Sequence, residues 1–327
     1  MKLRALGKTG IKVSEIGFGA WALGGDLWGG QDEADSVAAL DRAFELGVQF
    51  LDTALVYGRG RSESVIGGWI KKKKIREQVV IASKIPPANL AWPARTGVPI
   101  ASVFPAAHLR SCTEKSLRNL GVDTIDLMQL HVWTDAFTDD DGWWEAMSAL
   151  KKEGKIRAIG VSINSFEPES ALRLVRSGRV EALQVYHNVF EQRPEDELLP
   201  LAKAEGVGII SRVPLDESAL TGKLTKKTEF ASGDYRSMYF RGDRLAQAVD
   251  RVEALRPVLE KAAGSMVSGA LRYCLSSDAV STVIPGIRNR AQAEANTAAS
   301  DAGKLTAAVL KTLRKHRWDR DPREWSI

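Results

Sequence analysis

Apolar and polar positions along the chain alternate between two textures. Short, near-continuous apolar runs occur at Ser14–Trp21, Val48–Thr53, Val79–Lys84, Ile125–His131, Ile156–Ser162, Glu181–His187, Val207–Val213 and Ser281–Gly286. Runs of this kind predict strands buried on both faces. Between them, apolar or small residues recur every three or four positions, as in ADSVAALDRAFELG, AAHLRSCTEKSLRNLG and PESALRLVRSG, which close on Gly47, Gly121 and Gly178. That period and the closing glycine predict amphipathic helices. Strand and helix in alternation imply a parallel sheet, and eight such strands predict a closed (β/α)8 TIM barrel. LRALGKTGIKV, ahead of the first strand, predicts a hairpin turning at Thr9–Gly10 that covers one barrel end. Longer connections run over Ile85–Phe104, Val132–Asp141 and Leu215–Arg244, with a tail from Gly303 to Ile327. The first three follow strand C-termini, the face where barrel enzymes carry out chemistry. No change in composition marks a boundary, so residues 1–327 read as one domain.

Composition narrows the function without naming it. The 327 residues are 44% hydrophobic and 27% charged, an ordinary globular balance, with a formal charge of +5. The basic run Lys71–Lys74 ends an amphipathic pattern, where cations suit the helix dipole, and no aromatic-plus-basic motif accompanies it. No nucleic-acid partner is expected. The two cysteines imply no disulfide framework, and the four histidines form no pair at metal-ligand spacing. No run reaches the roughly 18 apolar residues that would span a membrane, and the first residues lack the apolar core and cleavage site of a signal peptide. A reduced, cytoplasmic location follows as the expectation, and oligomeric state is not readable.

The informative residues stand at the predicted strand ends. The second strand ends on Asp52, the third on Lys84 and the fourth on His131, with Tyr57 one loop beyond Asp52. A closed barrel brings the four together. A phenol, with an ordinary pKa of about 10, is a poor acid at neutral pH unless an adjacent ammonium lowers it. Lys84 supplies the ammonium, Asp52 its counter-charge, and the His131 imidazole a hydrogen bond to a substrate oxygen. The set suits proton donation to a developing alkoxide without a metal, and a carbonyl that gains a proton also needs a hydride.

The strings LDTALVYGRGRSE, IASK, LMQLH, GVSINSF and TVIPGIRNRAQAEAN, in this order, resemble the signature segments of the aldo-keto reductase family over essentially the whole chain. TVIPG and LTGKL are most similar to the bacterial branch that also resembles potassium-channel β-subunits. The resemblance implies a barrel that binds extended NADPH, with NADH also possible, and reduces an aldehyde or ketone. It makes Tyr57 the acid, Lys84 the group that lowers its pKa, Asp52 the holder of Lys84 and His131 the carbonyl-positioning residue. Asp52, Gly19, Ala20 and Trp21 would line the nicotinamide pocket. GFGAWALGG itself is no dinucleotide fingerprint, since Ala22 stands at the third glycine position. Ser162, Asn164 and Gln184 would meet the carboxamide, although Asn164 or Ser165 could equally cap a helix. Arg212 stands where many relatives carry a stacking aromatic; its guanidinium would stack on the ring or reach a phosphate. Pro214 and Leu215 would also contact the cofactor, and Ser218, Leu220, Gly222 and Lys223 match the loop that covers the pyrophosphate. Pro285, Gly286, Arg288, Gln292 and Asn296 match the adenosine end, with Arg288 on the 2′-phosphate.

Nine tryptophans are many for this length, and Trp21, Trp92 and Trp133 follow strand ends closely enough to wall an apolar or ring-bearing carbonyl substrate. Two other functions fit parts of the pattern. One is a cofactor-binding regulatory subunit with secondary redox activity. The other is a phosphate-ester lyase or isomerase using Lys84 as a Schiff base, which leaves Tyr57 without a role.

Overall fold

The computed structural model describes residues 1–326. Ten strands form two sheets. β1 (Leu3–Ala5) and β2 (Lys12–Ser14) make an antiparallel hairpin. The other eight are parallel neighbours in chain order: β3 (Phe18–Gly19), β4 (Phe50–Asp52), β5 (Val80–Ile85), β6 (Ile125–Leu130), β7 (Ile156–Ser162), β8 (Ala182–Tyr186), β9 (Gly208–Arg212) and β10 (Val280–Ile284). Bridges Ile16–Val283 and Gly19–Gly286 join the first strand region to the last and close the (β/α)8 barrel.

The seam explains one glycine. A Cβ on Gly19 would meet the Pro285 carbonyl oxygen at 2.8 Å and that of Ile284 at 3.0 Å. The two chains approach too closely there for any side chain, and β3 is correspondingly shorter than the apolar run Ser14–Trp21 suggests.

Two packed regions follow from strand alternation. Phe50, Ala82, Leu127, Ala158, Ala182, Ile210 and Ile284 fill the barrel interior, and Leu6, Ile11 and Val13 of the hairpin join them. The hairpin therefore plugs the N-terminal end of the barrel, away from the strand C-termini. A larger shell forms between the strands and the surrounding helices. Its cause is the helical apolar stripe: in helix Glu33–Glu45, for example, Ser36, Ala39, Leu40 and Ala43 are the buried positions. Asp32 starts that helix by accepting hydrogen bonds from the amides of Ala34 and Asp35. The long connections carry short helices of their own, at Ile100–Val103, Asp135–Asp139, Ala219–Thr221 and Tyr235–Tyr239. No helix among the described residues is long and apolar enough to cross a membrane.

Candidate active site

Asp52 is the last residue of β4, and Lys84 lies near the end of the neighbouring β5. The pairing of Asp52 with Ala82 sets their relative height, so Lys84 projects one layer above. Its Nζ donates to Asp52 Oδ2 at 2.7 Å, to the Thr53 carbonyl at 2.8 Å and to the Tyr57 hydroxyl oxygen at 3.4 Å. Lys84 has no exposed surface, so these three acceptors are its whole environment for hydrogen bonding. Burial disfavours the ammonium, but Asp52 and then Tyr57 outweigh it and raise its pKa, leaving Lys84 charged.

Tyr57 begins a tight turn through Gly58, Arg59 and Gly60, ahead of helix Arg61–Lys73. Gly58 has φ 57°, and a Cβ there would fall 2.2 Å from the Gly24 carbonyl oxygen. Ser62 ties the helix start to Thr53 (2.8 Å) and to the Ala20 carbonyl (2.9 Å), which fixes the turn against β4. Because Lys84 can only donate, the phenol hydrogen of Tyr57 is left to point elsewhere. Burial raises the phenol pKa, and Lys84 only partly pulls it back, with a smaller contribution from Arg212. Lys84 thus acts in the lowering direction, but desolvation outweighs it, and the group stays protonated at neutral pH.

His131 follows β6 directly, and its ring centroid lies 5.9 Å from that of Tyr57. Burial, then the charges of Lys84 and Arg212, hold its pKa well below the usual value, so the imidazole is neutral. Its Nδ1 is enclosed without a partner, which leaves Nε2 as the nitrogen free to engage a ligand. Two residues earlier on the same face of the barrel, the Gln129 amide is also enclosed and unpartnered.

Gln184 was expected at a carboxamide, yet its Nε2 donates to Asp52 Oδ1 at 2.7 Å. The amide therefore holds the second oxygen of the carboxylate that pairs Lys84, and its carbonyl oxygen is left for a ligand. Ser162 is buried at the end of β7 and makes no side-chain hydrogen bond within the described chain. Asn164 is differently employed. Its Oδ1 accepts from the Ala94 amide (3.1 Å), and its Nδ2 donates to the Ala94 carbonyl (3.0 Å) and to Glu167 (3.0 Å). Both ends of the amide clamp the Trp92–Ala94 segment, so the structure does not leave Asn164 for a carboxamide or a helix cap.

The wall around the phenol is aromatic. Trp21 stacks on Tyr57 with centroids 5.8 Å apart, and Trp92 stands edge-on to His131 at 4.6 Å. Trp28 and Tyr235 flank Trp21 at 5.4 and 5.1 Å. Trp133 is not part of this wall: it is fully buried, packs on Phe137 and Trp143, and donates to the Ser170 carbonyl. β6 ends at Leu130, so the strand alternation that would have aimed Trp133 inward no longer applies.

Arg212 ends β9. It donates to the Ile163 carbonyl (3.2 Å) and Ser165 hydroxyl (3.0 Å) and lies 5.2 Å over the Tyr186 ring, while its Nε is enclosed without a partner. The segment beyond is unusual: Val213, Asp216, Glu217 and Ser218, none of them glycine, all have positive φ. Such backbone clusters at ligand clamps. Pro214 and Leu215 lie within this segment; Leu220 is buried and Lys223 exposed. The Gly222 carbonyl accepts from Arg256. Across the mouth, Asn289 caps helix Arg290–Ala302 by accepting from the Gln292 amide. Arg288 is tied to the loop before the first helix, donating to Gln31 Oε1 (2.9 Å) and the Gly30 carbonyl (2.6 Å). Gln292 accepts from the Arg288 amide, and Asn296 donates to the Gly286 carbonyl beside Pro285. A helix start with a guanidinium beside it suits a phosphate. The uncommitted Ser162 hydroxyl and Gln184 carbonyl, the unpartnered Arg212 Nε and the left-handed segment together fit an elongated anionic nucleotide.

Two other clefts lie elsewhere: about 440 Å³ beside Lys2, Arg4 and Glu15, and about 420 Å³ beside Glu195, Tyr273 and Arg314. Neither is lined by Asp52, Tyr57, Lys84 or His131. No cluster of metal-ligating side chains occurs among the described residues.

Residues 15–317 match the aldo/keto reductase family. The chain belongs to that family. It is 34% identical to the aldo-keto reductase YhdN of Bacillus subtilis, covering 90% of this chain and 87% of that one. Its identity to the NADH-specific methylglyoxal reductase of Escherichia coli is 28%, covering 91% and 93%. The holo form of aldo-keto reductase AKR11C1 from Bacillus halodurans superposes with a TM-score of 0.76 at 29% identity, covering 98% and 97%. As an aldo-keto reductase, the chain is an NAD(P)H-dependent oxidoreductase acting on carbonyl groups.

Two residues at this site, one buried and one half-buried, escape sequence reasoning. Glu63 is fully enclosed and accepts from Ser83 (2.6 Å) and Asn119 (2.8 Å), locking helix Arg61–Lys73 to β5. The other is Tyr235, the first residue of the short helix Tyr235–Tyr239 in the long connection after β9. The apolar gap between Gly60 and Val65 was a readable signal for Glu63; Tyr235 had none.

Proposed function

We propose that the protein reduces an aldehyde or ketone with NADPH, and that Tyr57 gives the proton. The observation that carries this reading is the single, fully buried ammonium of Lys84 touching Asp52, Thr53 and Tyr57 at once. The nicotinamide, when bound, supplies the hydride. The protein's own residues do the rest. His131, neutral and with Nε2 free, donates a hydrogen bond to the carbonyl oxygen and holds it near the phenol. Tyr57 passes its proton to that oxygen as negative charge builds there. Lys84 then stabilises the phenolate left behind, and Asp52, fixed by Gln184, keeps Lys84 charged while it does so.

Ser162 and the Gln184 carbonyl are the groups proposed to meet the carboxamide, as donor and acceptor. Arg288 is proposed to meet the 2′-phosphate, which favours NADPH over NADH. Trp21, Trp92, Trp28 and Tyr235 present ring faces and edges, so the substrate proposed is an apolar or ring-bearing carbonyl compound. The test is nucleotide oxidation, NADPH against NADH, with a panel of aldehydes, ketones and keto-sugars. The reading expects turnover with at least one carbonyl and a lower KM for NADPH. Tight nucleotide binding with no turnover across the panel would favour a regulatory subunit instead.

A further inference from the structure

Behind the segment that leaves β9 lies a buried ion pair that the chemistry above does not use. Asp216 is fully enclosed. Its Oδ1 accepts from Arg320 Nη1 at 2.8 Å, from the Tyr186 hydroxyl at 2.9 Å and from the Asn188 amide at 3.3 Å. Arg320 comes from the far end of the chain, is 2% exposed, and also donates to the Tyr239 hydroxyl at 2.8 Å. Its guanidinium is boxed by rings: Phe166 at 4.6 Å, Trp318 at 4.9 Å, Trp325 at 5.3 Å and Tyr186 at 5.6 Å. Nε and Nη2 have no hydrogen-bond partner, and neither has Asp216 Oδ2. The pair is not a closed fork, and the ring faces offset part of the missing hydrogen bonding.

An ion pair this dry adds little net stability over an apolar pair of the same shape; what it fixes is geometry. Geometry is what the adjacent backbone lacks. Asp216, Glu217 and Ser218 have φ of 47°, 51° and 82°, and Val213 has 54°. Side-chain-bearing residues stay in that region only when their surroundings hold them. Asn188 holds the Val213 carbonyl at 2.9 Å, Arg236 reaches the Ser218 hydroxyl at 3.3 Å, and Tyr186 and Asn188 hold Asp216. Among the described residues, Arg320 brings the only full positive charge bonded to that carboxylate. The tail that carries it is itself pinned, by the Trp318 amide on the Phe190 carbonyl (2.9 Å), by Ser326 on the Ser165 carbonyl (3.1 Å), and by Arg251 lying 4.3 Å over Trp318.

We infer that Arg320 is a positioning residue for the nicotinamide nucleotide: through Asp216 it holds the Asp216–Ser218 backbone left-handed, so that Ser218–Lys223 is presented to the pyrophosphate. The inference rests on the cofactor reading given above. Arg320 itself is sealed from the mouth and acts only through the loop. Since NADPH and NADH share the pyrophosphate, Arg320 affects both nucleotides alike, whereas Arg288, at the 2′-phosphate, affects NADPH alone.

The test uses the full chain with Arg320→Met, Asp216→Asn and Arg288→Leu, and measures equilibrium Kd for NADPH and for NADH by fluorescence titration. Arg320→Met should raise both Kd values at least tenfold and by the same factor, with kcat at saturating nucleotide changed less than threefold. Asp216→Asn should do the same, and the double variant should be no worse than either single one. Arg288→Leu should raise the NADPH value only. Trypsin should cut at Lys223 faster in Arg320→Met than in the parent chain. If Arg320→Met fails to fold, Arg320→Lys keeps the charge, and a several-fold rise in both Kd values is then expected. Unchanged affinity in a folded Arg320 variant, or a loss confined to NADPH, overturns the inference while the parent chain still binds. A parent chain that binds neither nucleotide overturns the cofactor reading and this inference together.

Discussion

Lys84 Nζ lies 2.7 Å from Asp52 Oδ2, with neither side chain meaningfully open to solvent. Each charge is tolerable there only because of the other. Removing one member of a buried pair typically costs 3–5 kcal/mol, because its partner is left uncompensated. Asp52→Ala should therefore lower unfolding free energy by about 3–5 kcal/mol. Gln184→Leu, which removes one donor from a retained carboxylate, should cost about 1.5–3 kcal/mol. Urea denaturation of the two variants checks both figures. A Gln184 variant as stable as the parent would show that the amide does not hold Asp52.

Asn164 spends both ends of its amide on Ala94 and Glu167. Asn164→Leu should loosen the segment that carries Trp92 and raise substrate KM several-fold, with NADPH Kd within twofold of the parent. Steady-state kinetics with a parallel nucleotide titration separate the two effects. A tenfold loss of NADPH affinity at unchanged substrate KM would instead place Asn164 at the carboxamide.

Glu217 is 7% exposed, beside Asp216 and facing Arg212, Arg236 and Arg320. Burial, then the Asp216 charge, pushes its pKa up from 4.5 to about 7 against the pull of the three arginines. The folded chain thus keeps a proton that the unfolded chain releases. The stabilisation is complete below about pH 4.5 and is lost as pH rises through about 7. Glu217→Gln should match the parent near pH 4.5 and gain on it by pH 8, by on the order of 2 kcal/mol. Unfolding free energies of both chains across that range provide the check, and a difference that does not change with pH would contradict it.

How much of this was legible in the sequence depends on how far apart the interacting residues lie. Asp52, Lys84 and His131 stood out because a strand buried on both faces has little place for charge except at its end, and the barrel then brings successive ends together. The strand order was legible for the same reason. Partnerships across the chain were not. Nothing near Asn164 announces Ala94, 70 positions earlier, and nothing near Gln184 announces Asp52, 132 positions earlier. Trp133 was misplaced because sequence locates a loop residue but not the side to which it turns once the strand has ended. The sign of the Tyr57 shift needed the depth of its burial, which composition does not carry.

Tyr57→Phe removes one oxygen and leaves the ring stacked on Trp21, so it tests the proton-donor role with little else disturbed. The measurement is kcat/KM for carbonyl reduction beside the equilibrium Kd for NADPH. The account predicts that kcat/KM falls by roughly a hundred- to ten-thousand-fold while Kd stays within about twofold. Reduction within tenfold of the parent rate, in a variant that still binds NADPH, would contradict it.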